Sequence, residues 1–199
     1  MKAVQFDAFG PAHTVSYCAD VPDPGSPAGD EVLVDVVAFP LNPADLLTIE
    51  GKYAARPLLP YTPGAEATRQ ISAVGADVDG LATDDSVILL GRENWVQKRR
   101  VKASEVLKIE VQSDRLLQYA MLKVNPATAA LMLREYVDLK VGDWVIQDAA
   151  NSGVGHCLIR LARKAGVKTV NVVRRESLVE PLKAYGADVV LVGLDNLSE

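Results

Sequence analysis

Apolar and polar positions follow two different rhythms along this chain, and the change comes near residue 115. Before it, short β-branched and apolar runs alternate with turn residues. "KAVQF" (2–6), "EVLVDVVAF" (31–39), "RQISAVG" (69–75) and "DSVILLG" (85–91) predict strands. Pro22, Pro24, Gly25, Pro27, Pro40, Pro43, Pro60, Pro63 and Gly64 punctuate the region, as does the turn-rich "ADVDGLATD". Many short strands with frequent turns predict a small barrel-like β domain. One helix is predicted inside it, at "NPADLLTIEG" (42–51). Asn42 is its N-cap, Pro43 its first helical residue and Gly51 its terminator.

After residue 115 the period lengthens. "DRLLQYAML" and "NPATAALMLREYV" carry apolar residues at helical spacing, with Pro126 behind a capping Asn125. Then "DWVIQDA", "KTVNVV" and "ADVVLVG" read as strands, and "GVGHCLIRLARKAG" and "SLVEPLKAYG" as the helices between them. Such alternation predicts a parallel, doubly wound sheet. The expected organisation is therefore a β-rich domain over residues 1–115 and a dinucleotide-type domain over 116–199.

The turn between the first of these strands and its helix reads "ANSGVG" (150–155). Against the template G-x-G-x-x-G, Ala150 and Ser152 replace the first two glycines, Gly155 keeps the third, and Gly153 is an extra one. The context is right: a strand precedes, a helix follows, and both lie in a βαβ unit. Small residues still let the backbone approach a pyrophosphate, and the N–H groups opening the helix still attract an anion. Gly155 allows close helix–strand packing. The helix is expected to bury Val154, Leu158, Leu161, Ala162 and Ala165. The plainer alternative is a βαβ crossover that binds nothing.

A NAD site wants an acid about 20 residues further on, at the end of the second strand. "NVVRR" offers Arg174 and Arg175 there instead. Guanidinium groups suit a 2′-phosphate, so the residues favour NADP(H), although Glu176 follows directly.

Composition changes the picture little. With 49% hydrophobic and 24% charged residues and a net charge of −5, the chain is an ordinary globular one with no bias towards nucleic acid. Lys98, Arg99, Arg100 and Lys102 form one basic cluster. It reads as a solvated strand face or, more sharply, as a docking patch for an anionic substrate or carrier. Cys18, Cys157, His13 and His156 lack partners at ligand spacing, so no metal site is expected. No signal peptide or membrane span is visible, which predicts a soluble protein of a reducing compartment: the cytoplasm, or the mitochondrial matrix in a processed eukaryotic protein.

"LNPADLLTIEGKY", "PYTPGAEA", "VNPATAALML", "GDWVIQDAANSGVGHCLIRLARKAG" and "TVNVVRR" together resemble the zinc-free medium-chain dehydrogenases/reductases, in particular the trans-2-enoyl-thioester reductases of mitochondrial type. The first half also looks like the quinone oxidoreductases. The resemblance implies a GroES-like first domain and a Rossmann second domain. It implies NADPH-dependent reduction of the 2,3-double bond of an enoyl thioester of CoA or acyl carrier protein, or NADPH:quinone reduction. It makes Tyr53 the proton donor, Asn42 a pocket residue, and Thr128 and Asn151 to Val154 cofactor-lining residues, with a homodimer as the full-length form. The alternation ends after its third strand, at "LVGLDNLSE", whereas a doubly wound domain continues. The chain is thus expected to be the N-terminal portion of a reductase, or a short form serving as a non-catalytic NADPH-binding or partner-regulating module.

Overall fold

A computed structural model describes residues 1–54, 56–110 and 115–193, the side chain of Leu116 aside. The chain divides into two compact units, Met1–Lys123 and Val124–Glu199. The start of the expected helix "DRLLQYAML" and the end of "LVGLDNLSE" lie outside the described residues.

In the first unit, β1 (Lys2–Phe6) pairs antiparallel with β2 (Ser16–Asp20), after the short helix α1 (Ala12–Val15). A five-stranded antiparallel sheet has the order β6-β3-β4-β5-β7, with β3 Glu31–Ala38, β4 Thr68–Val74, β5 Ser86–Leu89, β6 Lys98–Lys102 and β7 Val106–Lys108. Strand alternation places Val32, Val34, Ile71, Val87, Leu89 and Val101 in one buried cluster. Phe6, Ile49 and Trp95 form a second, joining β1 to the helix α2 (Pro43–Ile49). Gly51, at φ +70°, closes that helix as its sequence predicts. α1, β2 and β7 carry too few periodic positions to stand out in the sequence.

The basic cluster lies on β6 and is neutralised strand by strand. Lys98 pairs with Asp35, Arg99 with Glu93, Arg100 with Glu31 and Lys102 with Asp30. Two of these pairs join β6 to β3 and two join it to flanking loops, and the cations other than Arg99 are well exposed to solvent, as the plainer of the two readings has it.

The second unit begins with α4 (Asn125–Arg134), after a short α3 (Leu116–Tyr119) ends the first. Its parallel sheet has the order β10-β9-β8, with β8 Trp144–Gln147, β9 Lys168–Val173 and β10 Val189–Val192. β9 is central and buried along most of its length, as a parallel strand between helices should be. α5 (Gly153–Ala165) and α6 (Val179–Tyr185) make the crossovers.

Two local expectations are corrected. Asn125 does not cap α4. Val124 occupies the cap position, and the Asn125 side chain lies over Gly153, where a Cβ would meet its Nδ2 at 2.6 Å. α5 buries Gly155, Leu158, Ile159 and Ala162, whereas Val154 and Leu161 are half-buried and Ala165 is exposed. The apolar residues of this helix fit two overlapping stripes. The close approach of Gly155 to the strand end selects the stripe that carries Ile159 into the cluster with Ala150, Val173 and Leu182.

Candidate functional site

In the second unit, β8 runs into the turn that opens α5. Ala149 takes a left-handed conformation, φ +45°, rare for a residue with a Cβ. Ala150 is fully buried behind it. Ser152 is the N-cap of α5, and its Oγ accepts from the Gly155 N–H at 3.0 Å. That hydroxyl therefore serves the helix, and Ser152→Ala should cost about 1 kcal/mol in urea unfolding. Gly155 presses against the turn: a Cβ there would lie 2.4 Å from the Ala150 carbonyl oxygen.

Beneath the turn, Gln147 donates to the Asn171 Oδ1 at 2.7 Å and to the Gly155 carbonyl at 3.3 Å. Asn171 in turn donates to Thr169 and to the Val189 carbonyl. This buried chain ties all three strands to the start of α5, so the turn rests on a fixed base.

A cleft of about 540 Å³ opens beside the turn. Asp148, Ala149, Asn151, Val172, Val173, Arg174, Arg175 and Leu178 line it. The structure thus brings Asn151, Arg174 and Arg175 to one place. Glu176 begins a 3₁₀ turn and is not among the lining residues. Ser152, Gly153, Val154 and Gly155 form the first turn of α5 next to the cleft. Thr128 is half-buried on α4, one turn after Asn125. Asp148, Ala149 and Leu178 escaped the sequence reading. No spacing rule marks Ala149 or Leu178, and Asp148 stands one residue ahead of the template.

In the first unit, the start of α2 is stitched to the loop "PGAE". Asp45 is almost fully buried. Its Oδ1 accepts from the Ala65 N–H at 2.9 Å and its Oδ2 from the Asn42 N–H at 3.1 Å. Burial raises the Asp45 pKa, against these amides and the Arg92 guanidinium, which lower it. Asn42 does occupy the cap position, in a capping box with Asp45, and its Nδ2 donates to the Glu66 Oε1 at 3.0 Å. Asn42 is therefore held by a buried carboxylate.

Tyr53 follows α2, and its N–H donates to the Leu47 carbonyl at 3.1 Å. The ring is half-buried, and the Arg92 guanidinium lies over its face, 5.8 Å from the centroid. Arg92 also borders a small cavity of about 10 Å³ lined by Asp45, Thr48, Tyr61, Pro63 and Gly64. Burial, followed by the charge of Glu93, raises the Tyr61 pKa. Among the described residues no group of three or more His, Cys, Asp or Glu could hold a metal ion, and no helix is long and apolar enough to cross a membrane.

A GroES-like β unit, followed by a parallel sheet in 3-2-1 order with a small-residue turn at a helix N-terminus, is the organisation of the medium-chain dehydrogenases/reductases, and the chain is similar to them. Residues 28–109 match the alcohol dehydrogenase GroES-like domain. The chain is 40% identical over 172 residues to a mitochondrial enoyl-[acyl-carrier-protein] reductase of Caenorhabditis elegans, covering 83% of this chain and 49% of the relative. To the human mitochondrial enoyl-[acyl-carrier-protein] reductase it is 41% identical over 168 residues, covering 82% and 45%. It spans about half the length of these relatives.

Among solved structures, a mutant enoyl thioester reductase from Candida tropicalis superposes with a TM-score of 0.84 at 27% identity, covering 96% of this chain and 60% of that one. A mutant of Etr1p in complex with NADP and crotonyl-CoA superposes at 0.82 and 26% identity, with the same coverage. A quinone oxidoreductase from Pseudomonas syringae gives 0.83 at 27%, covering 96% and 58%.

Proposed function

We propose that the full-length protein reduces the 2,3-double bond of trans-2-enoyl thioesters with NADPH. The observation that carries the reading is the cleft that gathers Asn151, Arg174 and Arg175 beside the N-terminus of a thirteen-residue helix. The residues fit the cofactor. Backbone N–H groups at the start of α5 face an anion favourably, and Gly155 holds that helix tight against the turn. Arg174 and Arg175 supply the charge for a 2′-phosphate. Asp148 offers a carboxylate to ribose hydroxyls. Thr128, Ser152, Gly153 and Val154 complete the proposed cofactor set.

When bound, NADPH supplies a hydride to the β-carbon of the substrate. Tyr53, in this reading, donates a hydrogen bond to the thioester oxygen as negative charge develops there, and provides the proton that the α-carbon needs. Asn42, fixed by Glu66, shapes the pocket next to the start of α2. The relatives support a CoA or acyl-carrier-protein thioester as substrate and a mitochondrial setting, and a homodimer is the proposed full-length form. The quinone oxidoreductase among the structural neighbours motivates the second reading, NADPH:quinone reduction at the same site.

The full-length protein should consume NADPH when crotonyl-CoA is added, and no consumption with any enoyl-CoA would remove the reading. The cofactor assignment has its own check. Arg174→Ala with Arg175→Ala should raise the Kd for NADPH at least tenfold by fluorescence titration and leave NADH almost unchanged. Equal effects on both cofactors would take the arginines out of 2′-phosphate recognition.

A further inference from the structure

We propose that Arg92 is a positioning residue for Tyr53, an inference that rests on the enoyl-thioester reading above. The guanidinium covers one face of the phenol ring at 5.8 Å. On an unsupported loop such a contact would be weak, because an exposed cation–π pair competes with water. The loop that carries Arg92 is tied down at every neighbouring residue. The Gly91 carbonyl accepts from the Asn94 Nδ2 at 3.1 Å and from the Lys123 Nζ at 2.8 Å. Arg99 donates to the Arg92 carbonyl and pairs with Glu93 at 3.5 Å. Asn94 is fully buried and donates from its side chain to the Gly64 carbonyl.

Behind Asn94 lies Arg69, at 1% exposure the largest fully buried side chain among the described residues. Its NH2 group donates to both the backbone oxygen and the Oδ1 of Asn94, each at 3.1 Å. Burial pulls its pKa down to about 9, so it is still a cation at neutral pH. A buried charge is costly, and with its Nε and Nη1 lacking hydrogen-bond partners among the described residues, the two bonds to Asn94 are the hydrogen bonds that hold it. Arg69 therefore holds Asn94, Asn94 holds the loop between Gly64 and Gly91, and the loop delivers the guanidinium of Arg92 to Tyr53.

The consequence is preorganisation. The Arg92 guanidinium limits the ring to one orientation, with its O–H left for the substrate. Arg92 acts through Tyr53, so the two residues should be coupled rather than additive.

A double-mutant cycle on the full-length protein with crotonyl-CoA tests this. Arg92→Met should lower kcat about tenfold with the KM for NADPH unchanged, and Arg92→Lys should recover part of the loss. In a Tyr53→Phe background, Arg92→Met should cost less than twofold. A full tenfold further loss in that background would assign Arg92 a separate role, and unchanged kcat in the single variant would remove it from the mechanism. Absence of crotonyl-CoA reduction by the wild-type protein would instead overturn the enoyl-thioester reading itself, and this inference with it.

Discussion

Gly155→Ala should be the most damaging single-methyl substitution in the second unit. The new Cβ would lie 2.4 Å from the Ala150 carbonyl oxygen, 2.7 Å from its carbon and 2.8 Å from its Cα. All three are backbone atoms, and Ala150 is fully buried, so no side chain can swing aside. Relief requires α5 to move away from the end of β8. That movement would stretch the Ser152 cap and the bond from Gln147 to the Gly155 carbonyl, and open the cluster around Ile159. Overpacking of this kind costs roughly 3 kcal/mol. Urea unfolding should show that loss, and NADPH affinity should fall with it, because the helix N-terminus retreats from the cleft. A stable Gly155→Ala protein with normal NADPH binding would mean that the turn is not packed as described.

Tyr53→Phe should have the largest effect on turnover. It removes one oxygen and leaves the ring under Arg92. General acids contribute about 10²- to 10⁴-fold, so kcat for enoyl-CoA reduction should drop by at least about 10²-fold. NADPH affinity and melting temperature should stay near those of the wild type, since the bond that anchors Tyr53 is made by its backbone N–H to Leu47. Steady-state kinetics with parallel cofactor titration checks both halves. Unchanged kcat would transfer the donor role elsewhere, with Tyr61 beside the Asp45 cavity the first to examine.

The parts of the fold written locally were legible in the sequence. α2 shows its Pro43 and Gly51, and the βαβ alternation shows the parallel sheet. Side-chain partners were not legible where they depend on distant segments. Asn42 reads as a helix cap because capping is a local rule, and it is one, but its bond to Glu66, 24 residues away, follows no local rule. Asn125 reads as a cap for the same reason, and Gly153 claims the space beneath its side chain instead. The buried stripe of α5 was ambiguous between two faces until the Gly155 contact fixed the helix rotation. The basic cluster on β6 gave no sign that Asp30, Glu31, Asp35 and Glu93 would each meet one of its cations. Of the candidate site, the Arg174–Arg175 pair stood out because it ends a predicted strand. Arg92 did not, because its relation to Tyr53 exists only after two loops have been brought together.

Everything proposed for the site converges on hydride delivery to an enoyl thioester. Its most direct measurement is product analysis by mass spectrometry after the full-length protein has turned over crotonyl-CoA with NADPH deuterated at the transferred C4 position. Butyryl-CoA with one deuterium, located at C3, is expected, formed faster with NADPH than with NADH. Unreduced crotonyl-CoA alongside rapid NADPH-dependent reduction of a quinone would contradict it.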